Sequence, residues 1–307
     1  MYKHFYVDNG KYSDFLAENG LSCLISYAMG EKYLNKVIDS YFNKYPNRGG
    51  EIMLDSGAYS VSNGVLEINE DEYIDYVNKN GIYFGKIMQL DLIPTEKISP
   101  EESGEKTFEN LKKMLDKVNC PEKIGFVYHT SEDYKWLHMG VDYISNIGRQ
   151  CGFVCLAGAA SVSHPREMLS NLESAYGELK KSSRPNIYLH ILGLSMPSIL
   201  RRFQINSSDG SSYFKWSMRH RIHYHTGNGK FIVLHFSETA KEKSQGYFEL
   251  SERERRTFDE KLKSYNLDWN LVFNKREEKT KFNIYNYEEG FKYCQLNIGK
   301  AINQKLF

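Results

Sequence analysis

Long apolar runs are absent from this 307-residue sequence. None approaches the roughly 18 consecutive apolar residues that a membrane-spanning helix needs. The opening segment, MYKHFYVDNGKYSDF, also lacks the apolar core and the small-residue cleavage site of a secretory signal peptide. We therefore expect a cytoplasmic protein that has no membrane partner.

Cysteine is scarce as well. The five cysteines are odd in number and mostly scattered, which favours reduced, buried thiols over a disulfide framework. Cys151 and Cys155 share a predicted strand, so a metal or redox role for this pair stays open as the alternative. The sequence also lacks a P-loop and a GxGxxG motif that follows a strand, and we expect no cofactor.

The net charge of +1 indicates no partner by itself, but the charges are unevenly distributed. Between residues 196 and 230 the chain carries six Lys or Arg, and Asp209 is the only acid. Aromatic residues are interleaved with these bases, a pattern that suits contact with a nucleic-acid backbone. We predict such contacts from Arg201, Arg202, Lys215, Arg219 and Arg221. The alternative is a solvated loop whose charge is balanced by acids elsewhere.

His220, His223 and His225 lie in the same segment. His223 and His225 on one strand would point the same way, which raises the alternative of a metal site. No carboxylate or cysteine is near them in the sequence, and phosphate contact explains them equally well. We therefore predict no metal.

Short apolar runs alternate with helical patterns along the chain. Eight runs predict strands: 21–27, 51–55, 86–92, 124–129, 152–157, 187–192, 203–206 and 231–235. The stretches between them repeat apolar residues at helical spacing, as in Phe108, Leu111, Leu115 and Val118. Helix starts are also marked, for example by Asn69 with Glu72 three residues later.

Strands separated by helices imply parallel pairing, and eight such units predict an α/β protein with a (β/α)8 TIM barrel. An open doubly wound sheet is the alternative. No linker, low-complexity tract or repeat interrupts the pattern. After residue 249 the sequence becomes highly charged and then tyrosine-rich. We therefore predict a barrel over 1–249 and a helical C-terminal extension over 250–307, packed on the barrel.

Six segments at the ends of predicted strands resemble motifs of the tRNA-guanine transglycosylase superfamily. They match, in order, its Asp-Ser-Gly-Gly-aromatic signature, its second aspartate, its Gly-Ile-Val-Gln-Gly run, its Gly-Leu-Ala-Val-Gly loop, its Leu-Met-Gly strand end and its nucleophile segment. The corresponding stretches are LDSGAYS (54–60), MQLD (88–91), GFVYH (125–129), CLAG (155–158), LHILG (189–193) and INSSDGSSY (205–213). The resemblance spans residues 20–236 and implies exchange of guanine for a 7-deazaguanine base.

Three departures narrow the resemblance. The zinc-binding cysteines of the tRNA enzymes are missing, since Cys294 is the only cysteine after Asp209. Ala159 and Ala160 stand where bacterial members have Gly-Glu, and Ser211–Phe214 replaces the Pro-Thr-Arg run that contacts tRNA. The shortened pattern is most similar to the zinc-free phage and bacterial DNA-guanine transglycosylases. DNA, a free 7-deazaguanine base such as the 7-cyano form, and a bacterial or phage-infected cytoplasm are therefore expected.

Base exchange on one face of a sugar needs a carboxylate nucleophile and a second carboxyl that moves protons on the purine. The resemblance assigns these catalytic roles to Asp209 and Asp55, and it assigns recognition of guanine to Asp91. The substrate-binding residues that it implies also include Ser56, Gly57, Tyr59, Tyr128, His129, Leu156, Ala157, Gly158 and Gly193.

Structural roles remain open for several of these residues. Asp55 and Asp209 each stand beside turn-forming residues, Asp91 precedes Pro94, His129 precedes a helix cap, and Tyr59 fits a buried core position.

Other functions also remain open. The chain could act on tRNA, be a non-catalytic nucleic-acid-binding barrel subunit, or be a hydrolase that removes a base without replacing it. The oligomeric state is not set by the sequence, and a homodimer stays open.

Overall fold

The structure, a computed structural model, describes residues 2–146, 152–158, 165–197, 202–235 and 246–296. Its contacts divide the chain into two compact units. The first unit comprises Met1–Leu194 and Ile205–Gly210, and the second comprises Ser195–Gln204 and Ser211–Phe307. This division differs from the boundary predicted after residue 249, because the chain leaves the first unit at Leu194, rejoins it for one short segment and leaves it again after Gly210.

The first unit is a (β/α)8 TIM barrel, as the sequence predicts. Eight parallel strands close in chain order, with the first paired to the eighth. They are β1 (Lys3–Val7), β2 (Ser22–Ser26), β3 (Ile52–Asp55), β4 (Lys86–Met88), β5 (Ile124–His129), β6 (Phe153–Ala157), β7 (Leu189–Ile191) and β8 (Ser207–Gly210). Because all eight run the same way, their carboxyl ends meet at one mouth of the barrel.

The barrel interior is filled by alternate residues of the strands. One buried cluster contains Phe5, Leu24, Met53, Met88, Val127, Phe153, Cys155 and Ala157. Since side chains of a strand alternate between its two faces, the neighbours of these residues point toward the surrounding helices. This parity decides which polar side chains enter the barrel mouth.

The helices of this unit are α1 (Ser13–Glu18), α2 (Glu31–Asp39), α3 (Ala58–Ser62), α4 (Glu70–Asn80), α5 (Pro100–Lys117), α6 (Tyr134–Asn146) and α7 (Pro165–Lys181). Asn69 caps α4 as predicted, since its side chain accepts hydrogen bonds from the N–H groups of Asp71 and Glu72. Ser99 caps α5 in the same way, with Pro100 at the first position. The described residues contain no helix long and apolar enough to cross a membrane.

One strand of the barrel was missed, and two predicted strands were wrong. Residues 3–7 form β1, which was not predicted because Lys3 and His4 mask its apolar pattern. The seventh predicted strand, 203–206, lies before the true strand β8, whose sequence Ser-Ser-Asp-Gly has no apolar side chain. The eighth predicted strand, 231–235, is not part of the barrel at all.

The second unit contains that segment in a two-stranded antiparallel sheet. Strand β10 (Phe231–His235) pairs with β9 (Arg221–His225), with residues 226–230 joining the two. Helices α8 (Ser212–Met218), α9 (Glu252–Ser264), α10 (Trp269–Asn274) and α11 (Arg276–Leu296) complete the described part of the unit. Its core includes Ile222, Tyr224, Leu234, Phe258, Leu262 and Phe282.

Two asparagines of α11 fasten β9 to that helix. Asn283 Oδ1 accepts the backbone N–H of His223 at 2.9 Å, and Asn286 Oδ1 accepts that of His225 at 3.0 Å. Both asparagines are fully buried. The helix is therefore joined to the strand by side-chain amides as well as by apolar packing.

Candidate active site

Three carboxyl groups gather at the mouth of the barrel. Asp55 ends β3, Asp91 follows β4 and Asp209 lies on β8. The charges of both Asp91 and Asp209 act on Asp55, which shows that the three groups share one electrostatic environment. All three are residues that the sequence singles out.

Asp55 is held by the turn that follows it. The N–H of Gly57 donates to Asp55 Oδ2 at 3.0 Å. Gly57 has φ +91°, and a Cβ on it would lie 2.6 Å from the Cβ of Ala28, so both backbone conformation and space require glycine here. Asp55 therefore accepts a hydrogen bond within a turn, as the structural interpretation predicts, and it also lies at the barrel mouth.

The protonation of Asp55 is unusual for a carboxyl group. Burial raises its pKa first, and the charge of Asp91 and then that of Asp209 raise it further, to about 7. A carboxyl with this pKa exchanges a proton readily near neutral pH, which is what a general acid and base must do.

Asp91 is oriented from two sides. Ser56 donates its hydroxyl to Asp91 Oδ1 at 3.2 Å, and His129 Nε2 lies 2.9 Å from Asp91 Oδ2. Burial lowers the pKa of His129, but the hydrogen bond and the charge of Asp91 outweigh it, so the net pKa is raised. The histidine is thereby favoured as the donor to Asp91.

The backbone of His129 is fixed by a further carboxylate. Glu132 Oε2 accepts the His129 N–H at 3.3 Å, and Glu132 Oε1 accepts the Ser103 hydroxyl at 2.6 Å. Burial raises the pKa of Glu132, although the charge of His129 opposes this. Helix α6 starts only at Tyr134, so His129 belongs to the barrel mouth and is not a helix-start residue.

Asp209 is held through one oxygen. Its Oδ1 accepts the backbone N–H of Gly193 at 2.9 Å and lies 3.1 Å from His190 Nε2. The other ring nitrogen of His190, Nδ1, lies 2.8 Å from Ser207 Oγ. Among the described residues no group forms a hydrogen bond with Asp209 Oδ2.

The turn that presents Gly193 is tied to β8 on the outer face of the barrel. Ser208 donates its hydroxyl to the carbonyl of Leu194 at 2.7 Å, and the hydroxyl of Tyr2 lies 2.7 Å from the same serine oxygen. Gly193 itself has φ +73°, a conformation that favours glycine. Its backbone N–H is directed at Asp209, whereas the sequence predicts a contact with the base.

The other predicted substrate contacts are distributed over both faces of their strands. Tyr128 points away from the barrel interior and donates its hydroxyl to the carbonyl of Glu132, so the structure does not bring it to Asp91. Leu156 also points outward, whereas Ala157 points inward. Gly158 has φ +115°, and a Cβ there would lie 2.5 Å from Thr130 Oγ1.

Tyr59 is exposed. Its side chain is 71% accessible on α3, directly after the Asp55–Gly57 turn. The alternative of a buried core tyrosine is therefore wrong, and the ring is accessible for stacking on a base.

The predicted nucleic-acid contacts lie in the second unit. Arg202, Lys215 and Arg219 are exposed, and Arg201 lies outside the described residues. Arg221 is partly buried, with its guanidinium 5.7 Å from the centre of the Trp216 ring. The exposed three suit phosphate contact better than Arg221 does.

The histidines of β9 are engaged within the second unit. His223 Nδ1 lies 2.7 Å from the Tyr287 hydroxyl, and burial lowers the pKa of His223 to about 4. His225 Nδ1 lies 3.3 Å from Glu289, while its Nε2 accepts the N–H of Gly229. In the described part of the chain, no three His, Cys, Asp or Glu residues lie together in a way that could hold a metal ion.

Sequence reasoning missed three buried polar residues near the strand ends: His190, Glu132 and Asp8. Asp8 follows β1, but its two oxygens accept the N–H groups of Gly10 and Tyr12 and so cap a turn. The position of His190 could have been predicted from strand alternation. Tyr188 and Leu192 line the barrel interior, so the residue midway between them must face the interior as well.

Family models and curated sequences were both compared with the chain. No protein-family model matches the chain, and no curated protein sequence matches it.

Proposed function

We propose that this protein is a guanine transglycosylase that replaces guanine in DNA with a 7-deazaguanine. The observation that supports the proposal is that two carboxyl groups at one barrel mouth differ in their hydrogen bonding and in their pKa. Asp209 is held through Oδ1 with Oδ2 turned to no described partner, whereas burial and neighbouring charge raise the pKa of Asp55 to about 7. One group is arranged to attack and the other to carry a proton.

The reaction needs two displacements. In the first, an oxygen of Asp209 bonds to C1′ of the nucleotide, the bond from C1′ to guanine N9 breaks, and guanine leaves with a proton supplied by Asp55. In the second, the incoming base loses its N9 proton to Asp55 and attacks C1′, and the ester bond to Asp209 breaks. The sugar configuration and the initial protonation of both carboxyl groups are restored.

Asp91 supplies the choice of guanine. A carboxylate accepts hydrogen bonds from N1–H and the exocyclic amine of guanine, and adenine does not offer this pair of donors. Ser56 and His129 fix the carboxylate, so its direction is set before a base arrives. A bound adenine would offer this carboxylate no pair of donors beyond those of Ser56 and His129, so it should bind more weakly than guanine.

DNA is the proposed polymer because the zinc-binding cysteines and the Pro-Thr-Arg run of the tRNA enzymes are missing from the sequence. The target base must leave its stack to reach a barrel mouth, so single-stranded DNA or a flipped base is implied. The exposed Arg202, Lys215 and Arg219 are proposed to contact phosphates.

The experiment is a parallel incubation with a guanine-containing DNA duplex, the same DNA as a single strand, and a tRNA. Each reaction contains 7-cyano-7-deazaguanine, and the products are digested and measured by nucleoside mass spectrometry. We expect the modified nucleoside in DNA and none with Asp209→Ala. Incorporation into tRNA alone would overturn the choice of polymer, and guanine release without incorporation would show a hydrolase.

A further inference from the structure

His190 forms a buried pair with the proposed nucleophile. Its Nε2 lies 3.1 Å from Asp209 Oδ1, and the histidine side chain is fully buried. The ring also meets Phe5 edge-on, with centroids 6.0 Å apart. The histidine is therefore held between the barrel core below and the carboxylate above.

The neighbours of His190 determine which nitrogen carries the hydrogen. A carboxylate only accepts, so Nε2 must donate to Asp209. Nδ1 faces Ser207 Oγ at 2.8 Å, and a hydroxyl can donate to an unprotonated ring nitrogen. Ser207 thus fixes the tautomer in which Nε2–H points at Asp209.

The same Oδ1 also accepts the N–H of Gly193 at 2.9 Å. Two donors therefore converge on one oxygen, and within the described residues none reaches Oδ2. Oδ2 is therefore the oxygen of Asp209 that is left available to a substrate.

We propose that His190 is a positioning residue that makes Asp209 attack through Oδ2 and that stabilises the carboxylate when it is released. The inference rests on the function proposed above. It adds a residue that the motif resemblance does not assign.

The two displacements use this arrangement differently. When Oδ2 bonds to C1′, Oδ1 becomes the carbonyl oxygen of an ester and most of its negative charge disappears. When the incoming base breaks that ester bond, the bonding electron pair returns to the carboxylate and charge reappears on Oδ1. Donors on Oδ1 therefore favour the free carboxylate over the ester, and they assist release more than attack.

The unequal effect on release and attack distinguishes a positioning role of His190 from a purely structural role in the barrel core. Removing the Nε2–H donor should slow release of the covalent intermediate more than its formation, so that the intermediate accumulates. A hydrogen bond to a charged group corresponds to roughly a ten- to hundredfold change in rate. Weaker packing alone would lower the amount of folded enzyme without changing the ratio of the two rates.

Three variants test the inference. His190→Phe keeps a ring beside Phe5 and removes the donor. His190→Gln keeps an N–H at about the reach of Nε2, and Ser207→Ala leaves the donor but no longer fixes the tautomer. His235→Phe is the matched control, because His235 is also buried but lies on β10 in the second unit.

The measurement is single-turnover kinetics on a labelled oligonucleotide, with the protein–DNA adduct resolved on a denaturing gel and mapped to its peptide. Release is started by adding free guanine. We expect His190→Phe to form the adduct at Asp209 and to release it ten- to a hundredfold more slowly than the wild type. Ser207→Ala should show a smaller effect, and His190→Gln and His235→Phe should keep the wild-type ratio.

The outcomes distinguish the two levels of the proposal. If the wild type exchanges bases and His190→Phe keeps its ratio of release to formation, the positioning role is wrong while the function stands. If the wild type forms no adduct and exchanges no base, the proposed function fails, and the inference fails with it. Nitrogen NMR of the His190 ring gives a check that needs no activity: an unprotonated Nε2 would overturn the inference in either case.

Discussion

Burial and the neighbouring charge of Asp91 together raise the pKa of Asp55 to about 7. The two aspartates lie at the carboxyl ends of adjacent strands, since Asp55 ends β3 and Asp91 follows β4. Ser56 connects them, because it follows Asp55 in the chain and donates its hydroxyl to Asp91. A protonated Asp55 avoids two adjacent negative charges beside Asp91.

This relationship predicts how stability depends on pH. The pKa of Asp55 is 3.8 without the protein environment and about 7 in the folded protein. The folded state therefore holds this proton more tightly, and the free energy of unfolding falls as pH rises from about 4 to about 7. Asp55→Asn stays neutral, so above pH 7 it should be more stable than the wild type by up to about 4 kcal/mol. Urea unfolding between pH 4 and 8.5 measures the difference.

The control for this experiment is Asp75→Asn, which removes the same charge from an exposed position on α4. A stability gain of Asp55→Asn that is equally large at pH 4 and pH 8 would contradict the raised pKa. So would a variant that is less stable than the wild type above pH 7.

Asp209→Ala should reduce base exchange to background, because it removes the atom that bonds to C1′. Binding of the oligonucleotide should stay within about threefold of the wild type, since phosphate contacts are untouched. Asp209→Asn keeps the shape of the side chain and should behave alike. The measurement pairs exchange of labelled guanine with fluorescence anisotropy, and near-normal exchange by either variant would rule out Asp209 as the nucleophile.

The basic residues of the second unit should act on the DNA backbone and not on the base. Lys215→Ala combined with Arg219→Ala should weaken binding and lower the salt dependence by about one unit for each phosphate that the protein no longer neutralises. The preference for guanine over adenine should not change. Titrations at several salt concentrations test this, with Arg253→Ala plus Lys263→Ala as a control of equal charge on α9. Equal effects of the two double variants would show a general effect of charge.

The choice of incoming base should follow from Ala159 and Ala160, which lie outside the described residues. Bacterial tRNA enzymes have Gly-Glu at the corresponding place, and two alanines offer no partner to a buried ammonium group. The 7-cyano base should therefore be used in preference to the 7-aminomethyl base, and Ala160→Glu should shift the choice toward the latter. A competition reaction that contains both bases measures this. Preference of the wild type for the aminomethyl base by about tenfold would contradict it.

The barrel could be predicted from the sequence because most of its strands are apolar on both faces. Strand β5 is buried along its whole length, and its predicted bounds match the structure. Strand β8 could not be found in this way, since Ser207 and Asp209 face His190 while Ser208 bonds to Leu194. The buried side chains of β8 are polar and hydrogen-bonded, so its sequence shows no alternation of apolar residues.

The predicted number of barrel strands, eight, was correct only because two errors cancelled. β1 was missed, and segment 231–235 was counted in its place. The turn formed by Thr226, Gly227, Asn228 and Gly229 is typical of an antiparallel hairpin, and this turn distinguishes segment 231–235 from a strand of the barrel.

The sequence predicted that the three aspartates lie at the ends of strands, but it did not predict their hydrogen-bond partners. Motifs placed Asp55, Asp91 and Asp209 at strand ends, where a barrel collects its polar groups. The partners His129 and His190 lie 38 and 19 residues from the aspartates they contact. Such pairs depend on the register between strands, which a single sequence does not contain.

The asparagines of α11 have a consequence for how the second unit behaves in solution. The outer edge of a two-stranded sheet presents free N–H groups to which a strand of another chain can add, and this is a common route to aggregation. On β9 the outward N–H groups of His223 and His225 are already bonded to Asn283 and Asn286. The helix thus occupies the place of a third strand, and intermolecular strand addition at this edge would first have to displace two buried side-chain amides.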